Sequence, residues 1–221
     1  MEYSMYDTLL QLPLFQGMSR TELSEVVEHV KLHFHKYEMG ETLFCQGDRC
    51  DQLVFLLSGK LSAETVAPSG LFSLMEVCDK PQAIELYSLF GKCPSYGATY
   101  VARTEVSVLT IDKCYIYGVF DKYEVFCMNL YNLLSNRVAQ QRESVWSVSP
   151  QHIEGRLAHF VRTLCSVPYG IKVLRVKMTD LALLLDDTRL NVSGVLNKWK
   201  DEGLVEMHRM EYVFNKIENL P

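Results

Sequence analysis

Several side chains able to recognise a nucleic acid lie close together near the C-terminal end of the chain. Thr188 precedes an apolar periodic stretch, so its hydroxyl is predicted to be the N-cap of a helix that begins at Arg189. Arginine carries a planar fork of N–H donors that matches guanine in the major groove, whereas hydroxyl and amide groups bind phosphates and sugars. The sequence therefore predicts a helix that reads duplex DNA. The residues expected to contact DNA are Thr188, Arg189, Leu190, Asn191, Ser193 and Lys198.

Two short helices joined by a tight turn are needed to present these side chains. A first helix is predicted over residues 178–185, with a corner at Asp186 and Asp187 because Asp tolerates left-handed backbone. A strand is expected over 171–176 from its alternating pattern, and a hairpin over 204–214 after Gly203. This order is that of a winged helix-turn-helix. The second helix repeats apolar residues at the spacing of a buried face: Val192, Val195, Leu196 and Trp199.

The part of the chain before residue 112 has the pattern of a small β-domain. Ser19 and Glu22 form a capping-box pair ahead of an amphipathic helix, within a stretch (3–30) predicted to be helical but interrupted at Pro13. From about residue 30 to 111, short strands alternate with turn signals, and the strongest strands are expected at 53–57 and 106–111. Many short strands at this spacing predict a small barrel or jelly roll. The predicted corners are 37–40, 46–48, 58–59, 67–70 and 91–94.

Composition and charge set limits on the class of protein. About half of the 221 residues are hydrophobic, and neither an apolar run of membrane-spanning length nor a signal-peptide pattern is present, so we expect a cytoplasmic protein with no membrane partner. Residues 1–149 hold 12 basic and 18 acidic side chains, whereas residues 150–221 hold 10 and 9. DNA affinity should therefore be modest and should require dimerisation. The seven cysteines are odd in number and irregularly spaced, which predicts reduced thiols, most of them buried.

The strand region contains a specific motif. Tyr37-x-x-Gly40-Glu-Thr-Leu-Phe-x-x-Gly47-Asp48, followed by Leu53-x-Phe-Leu-Leu-Ser-Gly59, resembles the cyclic-nucleotide-binding β-roll of the CRP/FNR transcription regulators. The resemblance covers almost the whole chain, because the predicted helix-turn-helix also lies where that family has it. It implies an α+β fold with an N-terminal double-stranded β-helix (β-roll or jelly roll), a long dimerisation helix and a C-terminal winged helix-turn-helix. The expected domains are 1–122 for the effector, 123–148 for the long helix and hinge, and 149–221 for DNA binding, with the hinge near 147–150.

A heptad pattern marks the predicted helix over 123–148. Cys127, Tyr131, Leu134, Val138, Gln141 and Val145 follow alternating spacings of four and three residues. A single helix packed on its own barrel would also show one apolar face, but Phe126, Leu130, Leu133 and Arg137 supply a second. In the family this helix is the dimer interface, so the resemblance implies a homodimer that binds inverted-repeat promoter DNA and contacts RNA polymerase. The expected interface residues are Tyr131, Leu134, Val138 and Val145.

The effector pocket departs from the family pattern. In its cyclic-AMP-binding members, a Gly-Glu-Leu turn and an Arg-Ser-Ala segment hold the ribose and the cyclic phosphate. The similar positions here place Ile84 for the glycine and Tyr96 for the arginine, although Glu85 is still able to accept a ribose hydroxyl. A buried charge that loses its partner costs about 3–5 kcal/mol. We therefore expect no cyclic AMP binding, and a different effector or none. The predicted pocket residues are Ile84, Glu85, Leu86, Tyr96 and Gly97.

The sequence also contains residues that would suit other chemistries. His33 and His35 would point to one face of a strand, where a nearby Cys or Met would complete a haem or metal site, although a solvent-facing strand edge explains them as well. Cys45 and Cys50 flank a turn and offer a redox alternative, but no cysteine precedes Cys45 to support an iron–sulfur cluster of the FNR type. No nucleophile elbow, phosphate loop or zinc signature indicates an enzyme.

The base-reading positions also differ from those of the family's cyclic-AMP-responsive members. Those members carry Arg, Glu and Arg where this chain has Arg189, Leu190 and Gly194, so their operator is not expected here. Leu190 and Gly194 instead leave open a second class of function, in which an effector-binding module uses its C-terminal domain to contact a protein rather than DNA.

Overall fold

The computed structural model describes residues 5–146 and 150–221. The sequence predicts a hinge near 147–150, with Ser149 as the N-cap and Pro150 as the first residue of the helix that follows. Of these positions, only Pro150 lies among the described residues. The chain divides into two compact units, Met1–Leu61 with Asp79–Glu143 and Ser62–Cys78 with Ser144–Pro221. Residues 62–78, which lie within the predicted 1–122 domain, belong to the C-terminal unit, and residues 123–143 of the predicted long helix belong to the first unit.

Strands predominate between residues 33 and 112, helices follow from 114 to 164, and the C-terminal part mixes both. The helices are α1 (Met5–Gln11), α2 (Arg20–His29), α3 (Cys114–Gly118), α4 (Glu124–Trp146), α5 (Ile153–Leu164), α6 (Met178–Leu184) and α7 (Arg189–Asp201), with 3-10 turns at Leu86–Ser88, Phe120–Lys122 and Ile217–Asn219. The strands are β1 (His33–Tyr37), β2 (Thr42–Phe44), β3 (Gln52–Ser58), β4 (Leu61–Val66), β5 (Phe72–Cys78), β6 (Gln82–Ile84), β7 (Thr99–Ala102), β8 (Val106–Asp112), β9 (Lys172–Val176), β10 (Glu206–His208) and β11 (Glu211–Phe214).

The first unit begins with the capped helix that the sequence predicts. The Ser19 hydroxyl accepts from the Glu22 backbone N–H, and the Glu22 carboxylate accepts from the Ser19 backbone N–H at 2.7 Å. This capping box is confirmed, as is the buried face with Leu23 and Val26. The predicted helical stretch over 3–30 is divided into α1 and α2, and residues 12–19 between them contain Pro13 and form turns.

The two strongest predicted strands lie side by side in the first unit. The antiparallel sheet has the order β1-β8-β3-β6, and Phe55 on β3 pairs with Leu109 on β8. Strands β2 and β7 form a second antiparallel pair. The corner at Gly59 requires glycine, because its φ is +92° and a Cβ there would lie 2.3 Å from the carbonyl oxygen of Glu105.

Helix α4 is preceded by the short helix α3 and by the 3-10 turn Phe120–Lys122. Phe126 at its start stacks on Phe120 with ring centroids 4.3 Å apart, and both rings lie within 6 Å of Phe15. These buried aromatic rings fix the beginning of α4 on the core of its own unit. Among the described residues, no helix combines the length and apolar character required to cross a membrane.

The second unit is a sheet covered by α5, α6 and α7. Its strands are adjacent in the order β10-β11-β9-β5-β4, and Leu74 on β5 pairs with Leu174 on β9. The buried ammonium of Lys172 binds the Glu76 carboxylate at 2.8 Å, and that carboxylate also accepts from the Ser166 backbone N–H at 2.9 Å. Strands β4 and β5 are therefore held in the C-terminal sheet by backbone pairing and by a buried ion pair.

Two local predictions are wrong. Pro150 is not the first residue of α5: the helix begins at Ile153 with His152 as its N-cap, and the Pro150 ring instead lies against Gly155. Most cysteines are not buried either. Cys50 alone among the seven is buried, whereas Cys45, Cys93 and Cys114 are exposed because they occupy turns or a helix start. All seven are free thiols.

Candidate functional site

The turn between α6 and α7 has the geometry that its sequence predicts. Asp186 adopts a left-handed φ of 49°, and the Thr188 hydroxyl accepts from the Asn191 backbone N–H at 3.2 Å as the N-cap of α7. The Asp187 carboxylate accepts from the Asn191 side-chain amide and the Thr188 backbone N–H, both at 2.7 Å, and pairs with Arg156. These hydrogen bonds, that of Asn191 first, lower the pKa of Asp187. The start of α7 is therefore fixed by local polar contacts.

Helix α7 has a buried face and an outward face. Val192, Leu196 and Trp199 are fully buried in the core of the second unit. At 3.6 residues per turn, the opposite side of the helix is centred on Leu190. Leu190 is 82% exposed and shares this side with Ser193, Gly194 and Asn197. Asn197 is not among the residues predicted to contact DNA, although its i+7 spacing from Leu190 places it on the same side of the helix.

The residues predicted to contact DNA fall into two groups. Thr188, Arg189 and Leu190 are exposed. Burial raises the pKa of Tyr212, and the nearby charge of Arg189 acts against this rise. Ser193 is half-buried and shares a hydrogen bond of 3.4 Å with the Asn197 amide.

Asn191 and Lys198 are engaged within the protein instead. The Asn191 amide donates to Asp187, as described above, and the Lys198 ammonium donates to Glu154 at 2.8 Å. The same Glu154 oxygen accepts from the Trp199 indole N–H at 2.9 Å. Lys198 and Trp199 both stabilise the charged form of Glu154, which lowers the pKa of that carboxyl. The hydrogen bond to Glu154 in turn raises the pKa of Lys198.

The predicted effector pocket is filled by protein groups. Glu85 is buried and adopts a left-handed conformation with φ 40°. Its Oε2 accepts from the Ser88 hydroxyl at 2.8 Å and from the Gly97 backbone N–H at 2.7 Å, and its Oε1 accepts from the Tyr100 hydroxyl at 3.0 Å. Both carboxylate oxygens that would bind a ribose hydroxyl therefore already have donors within the chain.

Tyr96 occupies the space beside Glu85. Its ring stacks on Phe44 with centroids 4.4 Å apart, and it is 3% exposed. Burial raises the pKa of Tyr96, and the neighbouring Cys50 thiol adds to the rise. Ile84 and Leu86 are buried as well. The structure thus brings the predicted pocket residues together, but as packed aromatic and aliphatic side chains around a satisfied carboxylate.

An open cavity of about 290 Å³ lies elsewhere, in the second unit. It is bounded by the β4–β5 turn, the junction of β9 with α6, and Met210 in the β10–β11 turn. It is lined by two basic side chains, Arg175 and Lys177, and Arg175 is already bound by Glu64 and Glu211. None of the predicted effector-pocket residues lines this cavity.

The histidine pair has no complete set of metal ligands around it. His33 and His35 are exposed on β1, at the edge of its sheet, with their rings 6.4 Å apart and nearly parallel. Within residues 5–146 and 150–221, no group of three His, Cys, Asp or Glu side chains is arranged to hold a metal. The buried thiol of Cys50 has a raised pKa, mainly through desolvation, which makes it a poor nucleophile.

Helix α4 has two apolar faces within the first unit. Phe126 and Leu130 are buried on one side. On another side Tyr131 and Val138 are 60% and 64% exposed, and Leu134 is half-buried. The side chain of Val145, the fourth predicted interface residue, lies outside the described residues.

Comparison with known proteins agrees with this architecture. Residues 34–123 match the family model of the cyclic nucleotide-binding domain. The cAMP-activated global transcriptional regulator CRP of Salmonella typhimurium is 20% identical over 181 residues, which cover 80% of this chain and 86% of that protein. The global nitrogen regulator of Synechococcus elongatus is 22% identical, over 84% of this chain and 87% of its own length.

A solved structure shows the same fold over about two thirds of the chain. The sensor domain of the transcriptional regulator DNR from Pseudomonas aeruginosa aligns with a TM-score of 0.51 at 19% identity, covering 65% of this chain and 99% of that one. The first of the two relatives is named a transcriptional regulator and the second a nitrogen regulator. These matches agree with the resemblance to the CRP/FNR transcription regulators that the sequence shows.

Proposed function

We propose that this chain is a sequence-specific DNA-binding transcription regulator whose C-terminal unit is a winged helix-turn-helix. The observation that supports this most is the α6–turn–α7 unit, with a capped start and an outward face that no described element of its own unit covers. The β10–β11 hairpin follows as the wing. A helix held in this way is able to enter a major groove with its N-terminal residues toward the base edges.

The side chains at the start of α7 have different proposed roles in binding DNA. Arg189 is proposed to bind guanine through two hydrogen bonds, whereas Thr188 and Ser193 are proposed to donate to phosphates or sugars. Asn191 and Lys198 reach the DNA backbone only by exchanging their bonds to Asp187 and Glu154 for phosphate. Their contribution to affinity is therefore smaller than that of an unpaired cation.

The chain is proposed to act as a homodimer through α4. Exposed apolar side chains at a heptad spacing support this pairing, which uses Tyr131, Leu134 and Val138, with Val145 as a further predicted member. A two-fold dimer predicts an inverted repeat with half-sites about one helical turn apart. RNA polymerase is the expected further partner, as for other regulators of this type.

The β-roll is proposed to respond to an effector other than cyclic AMP. The internal hydrogen bonds of Glu85 and the stacked ring of Tyr96 support this, because a cyclic nucleotide would have to displace both. A haem or redox sensor on the same fold has no support from the described residues beyond the exposed pair His33 and His35.

Selection from a random pool of duplexes by the full-length chain tests the DNA-binding function. We expect an inverted repeat to be enriched, and its binding to weaken steeply with added salt because phosphate contacts release counterions. Failure to enrich any duplex would contradict the proposal and favour the protein-contact function. The large exposure of Leu183 and Leu190, at 75% and 82%, is the observation that keeps this second function in view.

The dimer interface is tested by replacing both Leu134 and Val138 with Glu. Like charges would then face each other across the two-fold axis, so we expect a monomer at micromolar concentration and weak binding to the selected repeat. Sedimentation measures the mass. As a matched control, a double substitution of the exposed polar residues Asn132 and Gln140 to Glu should leave the dimer intact. A dimeric Leu134→Glu/Val138→Glu variant would show that the heptad assignment is wrong.

A further inference from the structure

Two neighbouring positions on the outward face of α7 are unusual for a solvated helix. Leu190 is a large aliphatic side chain with 82% exposure and no packing role in its own unit. Gly194 lies one turn later, in the interior of α7, where glycine is among the least favourable residues. A Cβ at Gly194 would meet nothing within 4 Å, so packing inside the chain does not require glycine there.

The chemistry of these two positions fits one feature of the major groove. Leu190 has no donor or acceptor, so it is unable to read a base through hydrogen bonds. The apolar feature that base pairs present in the major groove is the C5-methyl group of thymine. Glycine at position 194 removes the side chain that would hold the helix away from the base edges, so the leucine beside it is able to reach that methyl group.

We propose that Leu190 packs against the C5-methyl group of a thymine in each half-site, and that Gly194 permits the close approach that this contact needs. The inference rests on the proposed DNA-binding function. It makes Leu190 a specificity-determining residue and predicts a thymine at one fixed position of each half of the inverted repeat, next to the base pair that Arg189 reads.

The test uses duplexes selected by the full-length chain, with each thymine replaced in turn by deoxyuridine. This replacement removes the methyl group and preserves base pairing. We expect one position per half-site at which deoxyuridine lowers affinity by about fourfold, and by about fifteenfold when both half-sites are changed. The Leu190→Ala variant should bind thymine and deoxyuridine duplexes equally, with an unchanged Tm because the side chain is exposed.

Leu183→Ala is the matched control, since Leu183 is a similarly exposed leucine on α6. It should keep the full sensitivity to deoxyuridine. Gly194→Ala should raise the Tm and yet weaken binding to the selected duplex several-fold, a combination that a merely structural role would not produce. A methyl effect that is absent, or equal in wild type and Leu190→Ala, overturns the inference while DNA binding stands. Failure of any duplex to be enriched overturns both.

Discussion

The pocket around Glu85 and the outward face of α7 differ in the exposure of their functional groups, which are bonded within the chain in the pocket and open to solvent on α7. In the pocket, every oxygen of the carboxylate has a donor from the same chain, and Tyr96 is stacked on Phe44. On α7, Arg189 and Leu190 extend into solvent. A fold similar to that of nucleotide-binding domains is thus compatible with a pocket that the chain's own side chains fill. The helix proposed to bind DNA, by contrast, presents side chains that are not part of the core.

The largest expected effect comes from emptying the pocket. Tyr96→Ala removes a buried ring and leaves a cavity beside Phe44, so we expect the free energy of unfolding to fall by about 3–5 kcal/mol, as for other large aromatic truncations. Urea titration measures this loss. Tyr96→Phe keeps the ring and should cost far less.

Calorimetry with cyclic AMP completes the test of the filled pocket. The wild-type chain should give no binding heat, because Tyr96 and the donors around Glu85 occupy the pocket. Micromolar binding by the wild type, together with a small cost for Tyr96→Ala, would mean that the pocket opens readily and that the contrast with α7 does not hold.

The next largest effect concerns the carboxylate itself. Glu85→Ala removes the carboxylate that accepts from the Ser88 hydroxyl, the Gly97 N–H and the Tyr100 hydroxyl, so we expect a loss of about 2–3 kcal/mol of unfolding free energy. Glu85→Gln should lose less, because its amide is able to donate to Tyr100 while its oxygen still accepts from Gly97. Equal stability of all three proteins would show that the network has no structural role.

Local features of both units were predictable from sequence because short-range chemistry determines them. The Ser19–Glu22 capping box, the Thr188 cap and the left-handed Asp186 each depend on residues within four positions. The buried face of α7 follows from helical periodicity in the same way. These predictions are confirmed.

The long-range partners were not predictable, since periodicity identifies a strand but not its neighbour. The pairing of β5 with β9 joins residues about a hundred positions apart, and Lys172 meets Glu76 across the same gap. Likewise, nothing in the sequence near Lys198 indicates that Glu154, 44 residues earlier, binds its ammonium. The stacking of Tyr96 on Phe44 is a packing outcome of the same kind.

On α7, a smaller effect should separate base reading from phosphate binding. Arg189→Ala should reduce affinity for the selected repeat by about 1–3 kcal/mol and hardly change binding to random duplexes. Lys198→Ala should weaken both duplexes alike and flatten the salt dependence, but only slightly, because Glu154 already holds this ammonium.

Glu154→Gln tests whether the ion pair with Glu154 limits the contribution of Lys198 to DNA binding. It weakens the hold on Lys198 and should strengthen binding to both duplexes. Binding titrations at several salt concentrations distinguish these cases. Equal losses on both duplexes for Arg189→Ala would remove that residue from base reading.

The smallest expected effect is a pH dependence at the turn that presents α7. Hydrogen bonds from Asn191 and Thr188 lower the pKa of Asp187 below its ordinary value of 3.8, so its stabilising contribution is fully present above that value. The contribution is lost as the pH falls through the lower pKa of the folded state. Wild type should therefore be more stable than Asp187→Asn at pH 7, and the difference in Tm should shrink below about pH 4. Asp186→Asn removes the same charge one residue earlier, where Asn also tolerates the left-handed backbone, and controls for net charge. If the Tm difference between wild type and Asp187→Asn stayed constant from pH 7 to pH 3, the carboxylate would not be what fixes the start of α7, and the Thr188 cap alone would have to hold it.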